Sequence, residues 1–322
     1  MKQYYLDFER KLEPLEKRVE EIKKSHDVGD PQYAKELDVL KRRIAKVEQE
    51  IYSELSNLQR LQLARHVNRP HTLDYVDALF SDFVEMHGDR RFKDDPSMVI
   101  GLGRFQGARV AIMGQQKGND LKEMAARNFG MVNPEGYRKA QRLMDLAHRW
   151  HLPLISFVDT PGAFPGIGGE ERGQAEAIAS NICHMFSLAV PIVVIVIGEG
   201  MSGGALGIGV GDRVLALEHS IYSVISPEGC IGILWRGDSS RISYTADILK
   251  PTPEDLYRLD VIDEIIPEPF GGAHRNRAET VKNVGKAIAE NLRQLSSIPV
   301  DRLKTGRYEK FRKMGIFEEH SA

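Results

Sequence analysis

The chain is expected to fold as an α/β protein in which strand, glycine-rich loop and helix repeat, preceded by a helical hairpin. Three features predict this. Ile192 to Ile197 is a run of apolar, mostly β-branched residues, the pattern of a strand buried on both faces, with glycines following at 198, 200, 203, 204, 207, 209 and 211. Leu154 to Val158 is a second such strand, running into a second glycine loop, Asp159-Thr-Pro-Gly-Ala-Phe-Pro-Gly-Ile-Gly-Gly169. Upstream, Leu37, Leu40, Ile44, Val47, Ile51, Leu55 and Leu58 recur at steps of three and four, a narrow helical seam.

Taken in chain order, Leu12, Leu15, Val19 and Ile22 suggest a helix that partners the seam, and Ser25-His-Asp-Val-Gly-Asp-Pro31 has the turn formers to join the two. Residues 1–70 are therefore expected to form a separate hairpin unit and 71–322 the main domain. Leu73–Met86 reads as a helix, and Val99–Gln106 with Ala108–Gln115 makes a β-hairpin around Gly107. Asn133 caps and Pro134 opens a helix that runs to Arg149. After the first glycine loop, Glu170 and Glu171 open an amphipathic helix with Ala175, Ile178, Ala179, Ile182 and Phe186 on one face. Ser226-Pro227-Glu228 repeats the helix-start signal. Pro253–Leu259 and Glu279–Leu295 read as helices, Val261–Ile266 as a strand, and Arg307 to Arg312 as a basic, solvated face.

Composition excludes several function classes. With 322 residues the chain can bury a large core, and a net charge of −2 gives no electrostatic footprint for nucleic acid. The start lacks the apolar segment of a secretory signal, and no apolar run reaches the roughly 18 residues of a membrane span, so a soluble, cytoplasmic protein is expected. Cys183 and Cys230 alone cannot supply a four-cysteine zinc site and suit a reducing compartment. No G-x-x-x-x-G-K-[ST] loop occurs, so ATP binding of that type is not supported, and Lys313-Met314 lacks the flanks of a biotinylated lysine.

Successive strand–loop–helix units place their loops at the carboxyl ends of parallel strands, where open α/β sheets bind ligands. Four readings of the second loop stand side by side. Gly198-x-Gly200-x-x-Gly203 fits a dinucleotide fingerprint with Glu218 as the ribose acid, yet Gly207, Gly209 and Gly211 would each cost roughly 1 kcal/mol in the long helix that motif needs. Gly200-Met-Ser202-Gly-Gly204 fits a nucleophile elbow, with His219, His274, Asp212 and Asp263 as unassigned partners. The Gly203–Ala205 backbone could form an oxyanion hole without a side-chain nucleophile. Finally, the glycines could serve close helix–sheet packing alone.

Longer motifs carry a resemblance. DTPGAFPGIGGEERGQAEAIA (Asp159 to Ala179), GEGMSGGALGIGVGDRV (Gly198 to Val214) and YSVISPEGC (Tyr222 to Cys230) resemble the α subunit of the carboxyltransferase of bacterial-type acetyl-CoA carboxylase. ARNFGMVNPEGYRKA (Ala126 to Ala140), LARHVNRPHTLDYV (Leu63 to Val76) and IIPEPFGGAHRN (Ile265 to Asn276) extend it, in order, from Leu6 to the C-terminus. The resemblance implies a crotonase-like fold of stacked ββα units. It implies transfer of a carboxyl group from carboxybiotin to acetyl-CoA, giving malonyl-CoA, the first committed step of fatty acid biosynthesis. Biotin then arrives on a biotin carboxyl carrier protein, and a separate biotin carboxylase uses ATP. A β subunit, in an α2β2 assembly, holds acetyl-CoA and a zinc ribbon, so no metal is expected in this chain.

On this reading the N–H groups of Gly204 and Ala205 stabilise charge on the biotin ureido oxygen, and Gly203 permits the approach. Gly162, Ala163, Phe164, Gly166, Gly168 and Gly169 form a pocket wall. Asp159 and Glu170 stand either as substrate contacts or as local caps, and Glu199 as a brace for the glycine turn. Arg172 stands as an anion partner or a surface arginine, and His274 as a functional or an interface residue.

Overall fold

The computed structural model describes residues 4–25 and 31–315. Its strands are β1 (Phe80–Glu85), β2 (Met98–Phe105), β3 (Ala108–Gln115), β4 (Leu154–Thr160), β5 (Ile192–Met201), β6 (Arg213–Leu217), β7 (Ile221–Ser223) and β8 (Glu264–Ile266). They form one sheet in the order β1-β2-β3-β4-β5-β6-β8, with β7 beside the far end of β5. β1, β2 and β3 pair antiparallel, and every pairing from β3 onward is parallel. The carboxyl ends of β3, β4 and β5 therefore meet at one edge.

β5 shows why the sheet is buried on both faces. Ile192, Val194 and Val196 pack with Tyr137, Leu143 and Met144 on one side, and Val193, Ile195 and Ile197 pack with Tyr75, Val284 and Ile288 on the other. A strand's period of two divides an unbroken apolar run between two cores.

The helices are α1 (Glu13–Ser25), α2 (Pro31–Tyr52), α3 (Asn57–Ala64) and α4 (Thr72–Leu79) before the sheet, with α5 (Leu121–Ala126) and α6 (Pro134–Arg149) between β3 and β4. α7 (Ile167–Glu171) and α8 (Gln174–Ser187) connect β4 to β5, and α9 (Ser202–Leu206) follows β5. α10 (Pro227–Leu234), α11 (Ile242–Ile248) and α12 (Pro253–Arg258) lead to β8, and α13 (Arg277–Leu295) and α14 (Val300–Lys313) close the described chain.

Several expectations are corrected. Leu73–Met86 is not one helix: α4 stops at Leu79, and the chain continues as edge strand β1, whose Phe80 sits against Phe105 and Phe157. The helix expected from Glu170 is split at Gly173, whose φ of 80° is left-handed and favours glycine, and its first part begins earlier, at Ile167. β5 runs past Ile197 through Gly198-Glu-Gly-Met201 because β7 supplies backbone partners there.

The seam is not one helix: Leu37 to Ile51 fall on α2, Leu55 lies in the connection after it, and Leu58 falls on α3, which opens at Ser56 with a capping box to Gln59. Residues 26–30 of the expected turn lie outside the described residues. α1 and α2 contact each other, while α3 lays Leu61 and Ala64 on Met201 and Ile221.

Buried ionic contacts tie the N-terminal helices and their neighbours to the body. The Glu9 carboxylate accepts from Tyr52 Oη (2.5 Å) and lies 2.9 Å from His274 Nε2, while Arg69 pairs in bidentate fashion with Glu268 at 2.6 and 3.0 Å. Burial alone would raise both carboxyls. Its effect is outweighed at Glu9 by His274 and Tyr52, and at Glu268 by Arg69, and each carboxyl is lowered to about 2. Burial, with His274 close by, lowers His66 to about 4.

All three shifts have the same sign. At each site the unfolded chain binds protons more readily than the folded one, so stability is present above the ordinary pKa and lost as pH falls through the window. The urea midpoint is expected to fall between pH 6.5 and 4 as His66 resists protonation, and further below 4.5 as Glu9 and Glu268 do. A midpoint that stayed level from pH 7 to pH 4 would contradict this assignment.

Candidate active site

Where β3, β4 and β5 end, four charged side chains and the His71 imidazole interlock. Lys117 Nζ lies 2.9 Å from Asp159 Oδ1 and 2.8 Å from Glu199 Oε1. Asp159 Oδ2 is 3.0 Å from His71 Nδ1, and Glu199 Oε2 accepts from Arg65 Nε at 2.7 Å. Arg65 extends the chain of ion pairs to Glu228 on α10 at 2.8 Å. Burial alone would raise the Asp159 carboxyl, but the Lys117 ammonium and His71 hold it well below the usual carboxylate range. Burial opposes the Lys117 charge, yet Asp159 and Glu199 together raise its pKa, keeping it charged. The cluster is balanced and closed in, so it fixes the strand ends relative to one another.

Directly after this cluster the chain makes the glycine turn. Ser202 has φ 54°, the strained position of the turn, and none of Gly198, Gly200, Gly203 or Gly204 has positive φ. Glycine is required at most of these positions by close approach instead. A Cβ on Gly198 would lie 2.4 Å from Asp159 Oδ1, and one on Gly204 would lie 2.5 Å from both Gly162 C and Ala163 N. The packing reading therefore holds for part of the stretch. Gly203 differs. A Cβ there would meet only Ile178, at 3.6 Å, so packing leaves room for a side chain that the sequence omits.

α9 starts at Ser202 with Met201 as its N-cap. Because Ser202 has a left-handed φ, the helical ladder begins after it, and the N–H groups of Gly203, Gly204 and Ala205 make up its first turn, ahead of the first i→i−4 partner. Gly204 and Ala205 are both buried, whereas Gly203 is half-buried and lines a cleft of about 500 Å³. The other walls of this cleft are largely apolar, among them Leu206, Tyr222, Val224, Leu256 and Phe311.

The glycine loop after β4 reaches the same turn from its other side. Gly162 and Ala163 abut Gly204, and Gly162 N–H donates to Thr160 Oγ1 at 3.1 Å. Phe164 N–H donates to the Val132 carbonyl, Gly166 is the N-cap of α7, and Gly168 and Gly169 lie inside that helix. The loop braces the turn and is not among the residues that line this cleft.

Most of the remaining expected side chains are paired elsewhere. Arg172 pairs with Glu135 at 3.1 Å, and His274 pairs with Glu9. Asp212 pairs with Arg307 and Asp263 with Lys310, while His219 reaches Glu268 only through its backbone N–H. Among the described residues Ser202 has no histidine hydrogen-bonded to it, and the GxGxxG glycines sit on a strand followed by a five-residue helix. The elbow and dinucleotide readings both lose their second half. Glu9, His66 and His274 place one ligand atom each within 4.8 Å of the others. His66 Nδ1, however, accepts from Asn68 N–H, which leaves its Nε2 to donate to the Tyr4 carbonyl.

Lys117, His71, Arg65, Gln115 and Tyr137 were not singled out from the sequence. The signal was Gln115-Gln-Lys-Gly118, a polar stretch leaving an apolar strand at the same edge as the two glycine loops.

Residues 5–315 match the family described as acetyl co-enzyme A carboxylase carboxyltransferase-like. A protein of Geobacter metallireducens named acetyl-coenzyme A carboxylase carboxyl transferase subunit alpha is 53% identical over 318 residues, covering 98% of this chain and 99% of its own. The protein of the same name from Halalkalibacterium halodurans is 50% identical over 312 residues, covering 97% and 96%. Among solved structures, transcarboxylase 12S aligns with a TM-score of 0.58 at 17% identity, over 81% of this chain and 46% of that one. A Pseudomonas malonate decarboxylase hetero-tetramer, in complex with coenzyme A, aligns with a TM-score of 0.56 at 19% identity, over 67% and 86%. The crotonase-like class expected from the sequence is the fold observed.

Proposed function

The chain belongs to the acetyl co-enzyme A carboxylase carboxyltransferase family, and from that premise we propose that its glycine turn is the carboxybiotin half of a site completed by a β subunit. The chain is the α-type subunit of a transferase that moves a carboxyl group to acetyl-CoA, forming malonyl-CoA. Biotin belongs to a partner carrier protein, ATP to a separate biotin carboxylase, and zinc to the β subunit. No helix among the described residues is long and apolar enough to cross a membrane.

The observation that carries the reading is Gly203, bare of a side chain that packing would allow, at an apolar cleft beside unpaired helical N–H groups. The cleft is large enough for a bicyclic ureido ring and offers apolar walls to it. When bound, carboxybiotin supplies the carboxyl group and, once that group leaves, a basic ureido nitrogen for the acetyl methyl proton. This chain's part is to hold the ring and to aim N–H groups where negative charge gathers on the ureido oxygen. Those donors are assigned to Gly204 and Ala205, in the first turn of α9. Preorganised donors of this kind are each worth about 2.7–4 kcal/mol in the transition state.

Ser202 separates this reading from a hydrolase. Its hydroxyl is exposed, so Ser202→Ala in the complex with a β subunit is expected to retain most carboxyl transfer. A loss of about a thousand-fold or more with folding intact would instead indicate a serine nucleophile.

A further inference from the structure

We propose that Gln115 is a positioning residue for carboxyl transfer, its side-chain amide clamping the glycine turn to the end of β4 so that the turn's N–H groups keep one aim. The inference rests on the glycine turn being the reacting site. Gln115 Nε2 donates to the Gly204 carbonyl at 2.7 Å, and Gln115 Oε1 accepts from Asp159 N–H at 3.0 Å. One planar amide thus spans the two loops that meet where Gly204 abuts Gly162 and Ala163.

Its own place is fixed from several sides. Gln115 is the last residue of β3, in register with Met98, and its carbonyl accepts from Thr72 Oγ1 at 2.5 Å. The side chain is fully buried. Tyr137 Oη adds a second donor to the Gly204 carbonyl at 3.0 Å, and Asn181 Nδ2 donates to the Gly207 carbonyl at 3.1 Å. Three side chains from β3, α6 and α8 therefore hold the far side of a five-residue helix too short to stabilise itself. With the Gly204 carbonyl pinned in the core, the Ala205 N–H in the same peptide plane and the Gly204 N–H before it have no freedom to swing. A donor that must not reorganise as charge develops needs such a restraint.

The two-sided bond distinguishes this role from plain core filling. A methionine of similar length would fill the space and restore neither hydrogen bond. In the assembled αβ complex, Gln115→Met is expected to lower kcat by about 10- to 100-fold, the scale of a misplacement of an ångström at a reacting centre. The KM for acetyl-CoA, which the β half sets, is expected to stay within about two-fold, since a shifted donor acts on the transition state and not on that substrate's ground state. Tyr137→Phe removes one of the two donors to the same carbonyl and is expected to give a smaller fall of the same kind. Gln115→Glu keeps the size and the acceptor and serves as the readout where the methionine variant does not assemble. It too is expected to lower kcat with KM unchanged.

Native kcat in an assembled Gln115→Met or Gln115→Glu complex would overturn the proposal. So would a fall matched by an equal rise in KM. An unvaried complex that makes no malonyl-CoA would instead strike the functional reading beneath it, so the two failures are told apart.

Discussion

Gly204→Val is expected to lower carboxyl transfer by about 100-fold or more in a complex that still assembles with its β subunit. The reason is distance rather than backbone strain. Gly204 has an ordinary negative φ, but a Cβ there would come within 2.5 Å of the Gly162–Ala163 backbone, which is not the yielding end of a flexible side chain. Either α9 or the loop after β4 must move, and each movement re-aims the N–H groups at the cleft. Gly204→Ala should shift activity in the same direction. Turnover is measured alongside size-exclusion chromatography of the complex. Near-normal turnover in an assembled complex would remove this turn from the mechanism.

Arg307→Ala is expected to have the largest effect on stability, a loss of about 3–5 kcal/mol, because it leaves a buried carboxylate unpaired. Arg307 is 1% exposed and uses every donor it has. Two bonds go to Asp212 at 2.8 and 2.9 Å, and three go to the carbonyls of Met185, Leu188 and Val190 at 2.6 to 2.9 Å. Asp212 in turn accepts from Ile192 N–H at 2.7 Å, at the start of β5. The guanidinium thus pins α14 to the end of α8 and to the central strand. Denaturant unfolding measures the effect, and a loss below about 1 kcal/mol would contradict this account.

Arg307 also shows where the sequence runs out. In RYEKFRK it looks like one more charge on a solvated helix face, and only its partners, more than ninety residues away, bury it. What was legible was local. The apolar run of β5, the turn at Gly107, Pro134 at a helix start and Ser226 as a cap each depend on neighbours within a few residues, and each appears as read. Leu73–Met86 failed because Phe80 and Val84 fit either a helix face or an edge strand, and the choice belongs to β2.

The site divides in the same way. Both glycine loops were visible because glycine runs are rare, and the structure brings them into contact at Gly204. Which glycines pack and which one lies open needed the distances. Gln115, Lys117 and His71 escaped notice because their polar partners lie on other strands and loops. Nothing in a single stretch marks them.

The proposed division of the site between this chain and a β subunit is tested by one assay. Carboxybiotin on its carrier protein and acetyl-CoA are offered to the purified chain alone, and then to the chain with its β subunit. No malonyl-CoA is expected from the chain alone, and its formation is expected once the β subunit is added. Substantial malonyl-CoA from the single purified chain would contradict that division.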